Sequence, residues 1–388
     1  MKPLTARTPR TGLTARTPLT DRTVPTVLTT AIFIVALFSA CHLPEKPVTE
    51  KEALDLAKRI EVSISHHNQI VLDSIIDDKY FAAQVLRQAK QRFNFDMARK
   101  AKAAIAELHL GQVVVPATQK AGSYELVRRY EKDGRQHLLF RLFGDDGDIN
   151  YHDFPLIRGD QGVRADDVFV YAVGEPISKS VTETLLGEPK ADDMTDEQKE
   201  TARLVGEAKQ FLTGGNPEEA YSFYDQIPDK IKKEQKYQKL HVRIAEKMGD
   251  SAYKAALNEY KLNFPQDPFV YLTIFKITAR QNDYTAALEA LNQLDILLGG
   301  DPFLDFYRGL LYKMLNDPQQ SRIALERFHA RWPLFGAAVV QLVDSHIKSG
   351  HPDSAAMLIK EAEELRNITP GQLDAVEKAY PDLRPYLK

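Results

Sequence analysis

The stretch LDFYRGLLYKMLNDPQQS, residues 304–321, decides the fold. Apolar residues recur at helical spacing from Leu304 to Leu315, and Asn316-Asp317-Pro318 then interrupts them. A polar pair followed by proline ends one helix and opens the next, because proline is tolerated in a first helical turn and not in a helix interior. The stretch therefore predicts helix, turn, helix.

The same turn returns along the chain. It appears as Asn216 in GGNPEEA, Asp250 in MGDSAYKAA, Asp283 in QNDYTAA, Asp317 in LNDPQQS and His351 in SGHPDSAA, at spacings of 34, 33, 34 and 34 residues. A small residue tends to follow it, at Ala220, Ala255, Ala287 and Ala355, where two helices must approach closely. Prolines close several units at Pro228, Pro265, Pro302 and Pro333. A helix-turn-helix period near 34 resembles the tetratricopeptide repeat, and Gly309 and Tyr312 match its small-then-aromatic pattern. The chain departs from that family in lacking a tryptophan in the first helix of each unit; Trp332, its only one, lies at a repeat end. The resemblance implies a stacked solenoid over residues 198–366 whose concave face takes an unidentified protein or peptide. Tyr221, Phe223, Tyr224, Tyr253, Tyr271, Phe306, Tyr307 and Tyr312 read as inter-helix core, and residues 367–388 as a capping helix from about Pro370 and a tail.

Upstream, KEALDLAKRIEVSISHHN, DKYFAAQVLRQAKQRF and FDMARKAKAAIAELHLG carry apolar residues at helical spacing and predict three helices. The pattern changes at Gly111. QVVVPA, YELVRRYEK, HLLFRLF, INYHDFPLIR and DDVFVYAVGE are β-branched and aromatic runs, and Asp133-Gly134 and Asp146-Gly147 between them are hairpin signals. Helices followed by an antiparallel meander define an α+β module over residues 51–175, with residues 176–197 as linker. The order resembles the nuclear-transport-factor-2-like (NTF2-like), cystatin-like superfamily, which implies a cone with an apolar pocket between helices and sheet. Some members are dehydratases or isomerases using Asp, His or Tyr; others bind a ligand or support a neighbouring domain.

The candidate chemical residues of this module have structural readings. Asp77 and Asp78 precede a helix, where an acid caps. His152 and Asp153 are adjacent on a strand and so point to opposite faces. His66 and His67 diverge by about 100° on a helix, too far for one metal. Asp146, Asp148 and Asn150 lack the glycine and the twelfth-position glutamate of a calcium loop, so DGDIN is a turn, as is RGD at 158–160. No catalytic, cofactor-binding or metal-binding residue is assigned.

The N-terminal region reads differently. Residues 1–23 repeat LTARTP with five basic residues and one acid, have no apolar face, and suggest a start codon placed too early. Ala31–Ala40 is apolar for ten residues, about 15 Å of helix, and suits a signal-peptide core better than a membrane span. Leu37-Phe38-Ser39-Ala40-Cys41 resembles the lipobox of bacterial lipoproteins, with Phe38 where leucine is usual. That resemblance implies cleavage of residues 1–40, acylation of Cys41, a tether over 41–50, a lipid bilayer partner, and an outer-membrane anchor facing the periplasm.

With 43 % apolar and 27 % charged residues, most of the 388 residues should fold. One cysteine allows no internal disulfide, and a net charge of -3 with no basic face argues against nucleic acid. The combined expectation is a membrane-anchored, non-enzymatic lipoprotein that acts as a protein-interaction scaffold through its repeats. The alternative is a small-ligand-binding or enzymatic NTF2-like module recruited by the repeats.

Overall fold

A computed structural model describes residues 46–91, 94–186, 194–366, 369–383 and 385. The leader and Cys41 lie outside the described residues. The α+β module begins with α1 (Glu50–Ser65), whose capping box pairs Thr49 with Glu52. It continues with α2 (Ile70–Asp73), α3 (Asp78–Gln88), α4 (Phe95–Glu107) and α5 (Leu110–Ala117). Asp77 caps α3, its carboxylate accepting the Lys79 and Tyr80 N–H groups at 3.1 Å each.

Helix α5 corrects the strand expected at QVVVPA. Its valines are β-branched, but Leu110, Val114 and Val115 share one helical face and are buried against α1, and the Asp73 carboxylate accepts the Gly111 N–H at 2.7 Å. Burial and an occupied first turn outweigh the strand preference, which is weak.

The strands are β1 (Ser123–Lys132), β2 (Arg135–Phe143), β3 (Ile149–Gly159), β4 (Gly162–Ala165), β5 (Phe169–Val170) and β6 (Glu175–Pro176), antiparallel in the order β1-β2-β3-β5-β6, with β4 on β3. Asp133 and Gly134 both hold positive φ, as a two-residue hairpin requires. A bulge between Leu126 and Arg128 shifts the alternation of β1. The segment expected as a linker contains α6 (Ile177–Leu186), which packs on α3 and α4. Its first turn is held by the buried Asp167 carboxylate, which accepts from the Ser178 N–H and hydroxyl.

The repeats are five helix pairs: α7 (Asp196–Thr213) with α8 (Pro217–Asp225), α10 (Gln235–Met248) with α11 (Asp250–Asn263), α12 (Pro268–Arg280) with α13 (Tyr284–Leu298), α14 (Leu304–Met314) with α15 (Pro318–His329), and α16 (Gly336–Lys348) with α17 (Pro352–Glu364). A short α9 (Asp229–Lys232) joins the first two pairs. Each recurring turn found in the sequence is the turn within one pair, and the Asp283 and Asp317 carboxylates cap the helices that follow. Helix α18 (Pro370–Ala379) adds Val376 to the repeat core. Of the aromatics expected in the core, Tyr224, Tyr271, Phe306 and Tyr307 are buried, while Tyr221 is exposed.

Gly309 in α14 marks a close approach within a pair, because a Cβ there would run into the Leu325 side chain of α15. Gly309→Val is expected to cost about 1–3 kcal/mol by overpacking. Urea unfolding checks this; a variant as stable as the parent would refute the close approach.

Sheet and repeats share a core. One cluster of buried residues joins Leu139, Phe143, Ile149, Tyr151 and Tyr171 of the sheet region to the repeat helices, and a second joins Tyr124, Leu138, Phe140 and Phe154 to α1, α2 and α5. The sheet is thus covered on both faces, by the module's own helices and by the repeats.

Candidate functional site at the seam of sheet and repeats

The sheet and its loops meet the first helices of the second to fourth pairs and the loops between pairs, up to Phe335 just before the fifth. The Lys239 ammonium of α10 donates to the Gly174 carbonyl, Lys276 of α12 pairs with Asp148 at 2.7 Å, and the Tyr307 hydroxyl of α14 donates to the Gly147 carbonyl at 2.9 Å. Phe143 packs on Phe303 and Phe335 at centroid distances of 4.9 and 5.6 Å. At the centre lies Arg141, 2 % exposed, donating to Asp301 at 2.8 Å and to Glu125, with its guanidinium carbon 3.9 Å from the Phe303 ring. The Tyr151 hydroxyl also donates to Asp301, at 2.9 Å. Burial and the Asp301 charge push the Tyr151 phenol well above its ordinary range.

Further along the same face, Asp153 gathers two other groups. The Tyr130 hydroxyl donates to its carboxylate at 2.6 Å, and His137 Nδ1 lies 3.1 and 3.2 Å from the two oxygens. A carboxylate only accepts, so Nδ1 carries a proton and donates to it. The Arg128 guanidinium sits 4.4 Å over the Tyr130 ring and against Gly299, where a Cβ would collide with it. Gly299 holds φ 73° as the left-handed end of α13, so glycine suits both the turn and the contact. Burial and the Asp153 charge also push the Tyr130 and Tyr171 phenols up, opposed by Arg128. Among the described residues no hydrogen bond reaches the other His137 nitrogen, so a carboxylate-oriented imidazole could there meet a ligand's polar group.

His152 and Asp153 do point to opposite faces, as alternation requires. Asp153 has a histidine partner nonetheless, His137 on the neighbouring strand, which the sequence reading did not single out. Alternation places His137, Leu139 and Arg141 on one face of β2, and only the β2–β3 register brings His137 beside Asp153. Asp148 and Asp146 form a turn, with the Asp148 N–H donating to the Asp146 carboxylate at 3.0 Å. Arg158 and Asp160 pair separately, with Glu52 and Lys79. Among the described residues no group of three or more His, Cys, Asp or Glu side chains is arranged to hold a metal.

The expected apolar pocket between helices and sheet is filled by Leu56, Ile60, Leu72, Phe140 and Phe154, each at most 1 % exposed. Bulky side chains on both layers close the space. A cleft of about 400 Å³ lies instead outside the sheet, among α2, α3, α4 and α5, lined by residues including Asp73, Ile105, His109 and Gln112.

Within the filled core, His152 Nδ1 bonds the Tyr124 hydroxyl at 3.0 Å, and burial lowers its pKa to about 4. The folded state therefore favours neutral His152. Its contribution to stability is full above pH 6.5 and falls as pH drops toward 4, by up to about 3 kcal/mol. Asp167, raised to about 6 by burial, acts oppositely: its contribution is greatest below pH 3.8 and declines as pH rises through 6. The two offset partly, so single variants are the test. Urea unfolding of His152→Gln should lose its share of the acid sensitivity between pH 6.5 and 4.5; a slope equal to the parent's would refute the assignment.

No protein-family model matches the chain, and no curated protein sequence matches it. Among solved structures, the chain is similar to the crystal structure of MamA protein, at 16 % identity over 48 % of this chain and 96 % of that one, with a TM-score of 0.34. It is also similar to MamA 41-end from Desulfovibrio magneticus RS-1, at 15 % identity over 45 % and 97 %, with a TM-score of 0.33. The fold class rests on the chain's own architecture: an α+β module followed by an all-α tetratricopeptide-like solenoid.

Proposed function

We propose that this chain is a membrane-anchored bacterial lipoprotein serving as a non-enzymatic protein-interaction scaffold through its tetratricopeptide-like repeats. The observation that carries the scaffold reading is the array of five stacked helix pairs, an architecture suited to extended protein contacts. The first helices of pairs two to four already bear the sheet and its loops, so the partner's surface in this reading is the part of the repeats the sheet leaves open. The first pair belongs to that part: its core of Leu204, Ala208, Ala220 and Tyr224 is separate from the shared one, with Tyr221 exposed beside it. Lys230, Lys233 and Lys236 are exposed next to it, at the junction with the second pair. The test is capture from detergent extracts with the parent and with a variant carrying glutamate at these three lysines. Loss of specific partners supports the reading; identical recovery refutes this surface.

The anchor in this reading is diacylglycerol on Cys41, in an outer membrane facing the periplasm. Six residues lie between Cys41 and Val48, the first buried residue among those described, and this stretch spans at most about 25 Å, which would hold the module close to the bilayer. Cys41→Ser is expected to abolish acyl labelling and leave an unprocessed precursor. Normal processing and an unchanged membrane fraction would refute it.

A second reading, a ligand-binding or enzymatic module recruited by the repeats, is favoured by one observation: the carboxylate-oriented His137, whose Nε2 has no hydrogen-bond partner among the described residues.

A further inference from the structure

The cleft among α2, α3, α4 and α5 encloses about 400 Å³ and belongs to the α+β module alone. Its lining is mainly apolar, with Ile70, Ile76, Ile105 and Ala106 supplying the aliphatic surface. Ile70 is 68 % exposed, and Val113, next in sequence to Gln112 of the lining, is 64 % exposed. Large aliphatic side chains left this open gain from an apolar body laid across them.

The walls are braced at several points. The Asp73 carboxylate accepts the Gly111 N–H at 2.7 Å through Oδ1, which ties α2 to α5. A Cβ at Gly111 would collide with Gln69, so α5 sits directly against the chain that enters α2. The segment between α2 and α3 is held by the sheet, where Ala165 of β4 donates to the Ile75 carbonyl and accepts from the Asp77 N–H, both at 2.8 Å. Lys102 of α4 pairs with Asp78 of α3 at 3.1 Å. A cleft braced in this way is preformed, as small-ligand sites usually are.

Charge selects the ligand. No lysine or arginine lines the cleft, and two carboxylates do, Asp73 and Asp78. Lys102 balances Asp78, whereas among the described residues no cation pairs with Asp73 and nothing bonds its Oδ2. The Gly111 bond fixes that carboxylate, so Oδ2 is a placed acceptor carrying negative charge beside aliphatic side chains. An ammonium donates to such an oxygen with the added strength of opposite charge, and an anion is repelled.

We propose that this cleft binds a small organic cation, an ammonium on a compact apolar body, with Asp73 Oδ2 taking the ammonium and Ile70, Ile105 and Ala106 taking the body. The site uses neither the repeat surface nor His137, so its test leaves both readings of function as they stand.

The test is titration of the full chain with phenethylamine, phenethyl alcohol and phenylacetate, probes of nearly one size that carry positive, zero and negative charge. It is read by the NMR resonances of the Gly111 N–H and the Ile105 methyl groups. Saturable phenethylamine binding in about the millimolar range is expected, the strength suited to so small a ligand, with the alcohol weaker and phenylacetate weakest. Asp73→Asn keeps an acceptor for the Gly111 N–H and removes the charge, so it should weaken phenethylamine about tenfold and leave the alcohol as in the parent. Ala106→Phe, at an exposed position of α4, should fill the cleft and weaken amine and alcohol alike. If Asp73→Asn fails to fold, Ala106→Phe and the ranking of the probes decide. Shifts that grow linearly without saturation, phenylacetate binding as tightly as the amine, or parent-like amine binding by either folded variant would each overturn the proposal.

Discussion

Arg141→Met is expected to lower the unfolding free energy by about 3–5 kcal/mol, the cost of leaving a buried charge without its counter-ion. The charge is Asp301, 2 % exposed, which would keep only the Tyr151 hydroxyl and the Phe303 N–H, at 2.9 and 3.0 Å. Methionine fills much of the volume, so packing against Phe303 is partly retained and the loss is mainly electrostatic. The double variant Arg141→Met/Asp301→Asn should therefore recover most of it, because an amide needs no counter-ion: its oxygen can accept from the Phe303 N–H while its NH2 donates to the Tyr151 hydroxyl, which can turn to accept. Urea unfolding followed by far-UV circular dichroism measures both. A single-variant cost below about 1 kcal/mol, the size of an exposed ion pair, would show that water reaches Asp301 and that the seam is not closed.

How much of this was legible in the sequence depends on the range of each interaction. The repeat turns are local: Asp283 and Asp317 cap their helices within three residues, so the period survives without knowledge of the fold. Asp133-Gly134 is local as well. Helix α5 was not legible, because the Asp73 carboxylate that receives its first turn lies 38 residues away. The seam left a trace in HLLFRLF. Leu138 and Phe140 face the module's helices, and Leu139 and Phe143 face the repeats, so both parities of β2 are apolar. That pattern belongs to a strand buried on both faces rather than to one with a wet side. A single charge in such a run, Arg141, then requires a buried partner, but nothing in the sequence identifies Asp301, 160 residues on. The His137–Asp153 pair was hidden for the same reason: the alternation that separates His152 from Asp153 is local, while the register that supplies His137 is not.

Phe303→Ala tests whether sheet and repeats unfold together. Stacked repeats contact mainly their neighbours, and such arrays can lose pairs from one end. Here the sheet touches elements of pairs two to five at once, and Phe303, 1 % exposed, stands where they meet. Its ring lies 4.9 Å from Phe143 of the sheet, 5.1 Å from Phe328, 5.3 Å from Trp332 and 5.9 Å from Phe335. Truncation to alanine is expected to cost about 3–5 kcal/mol, since aromatic cavities in a packed core collapse only in part. Trp332 is the only tryptophan and stacks on Phe328 at 4.8 Å, so its fluorescence reports the seam, while circular dichroism reports mainly the helices. In the parent the two urea transitions should coincide, and in Phe303→Ala both should move by the same amount, because coincident probes are the signature of one cooperative unit. If the tryptophan transition shifted while the helical one stayed in place, the sheet would be a detachable lid on an independent solenoid, and its first-helix face would be free to exchange the sheet for a partner.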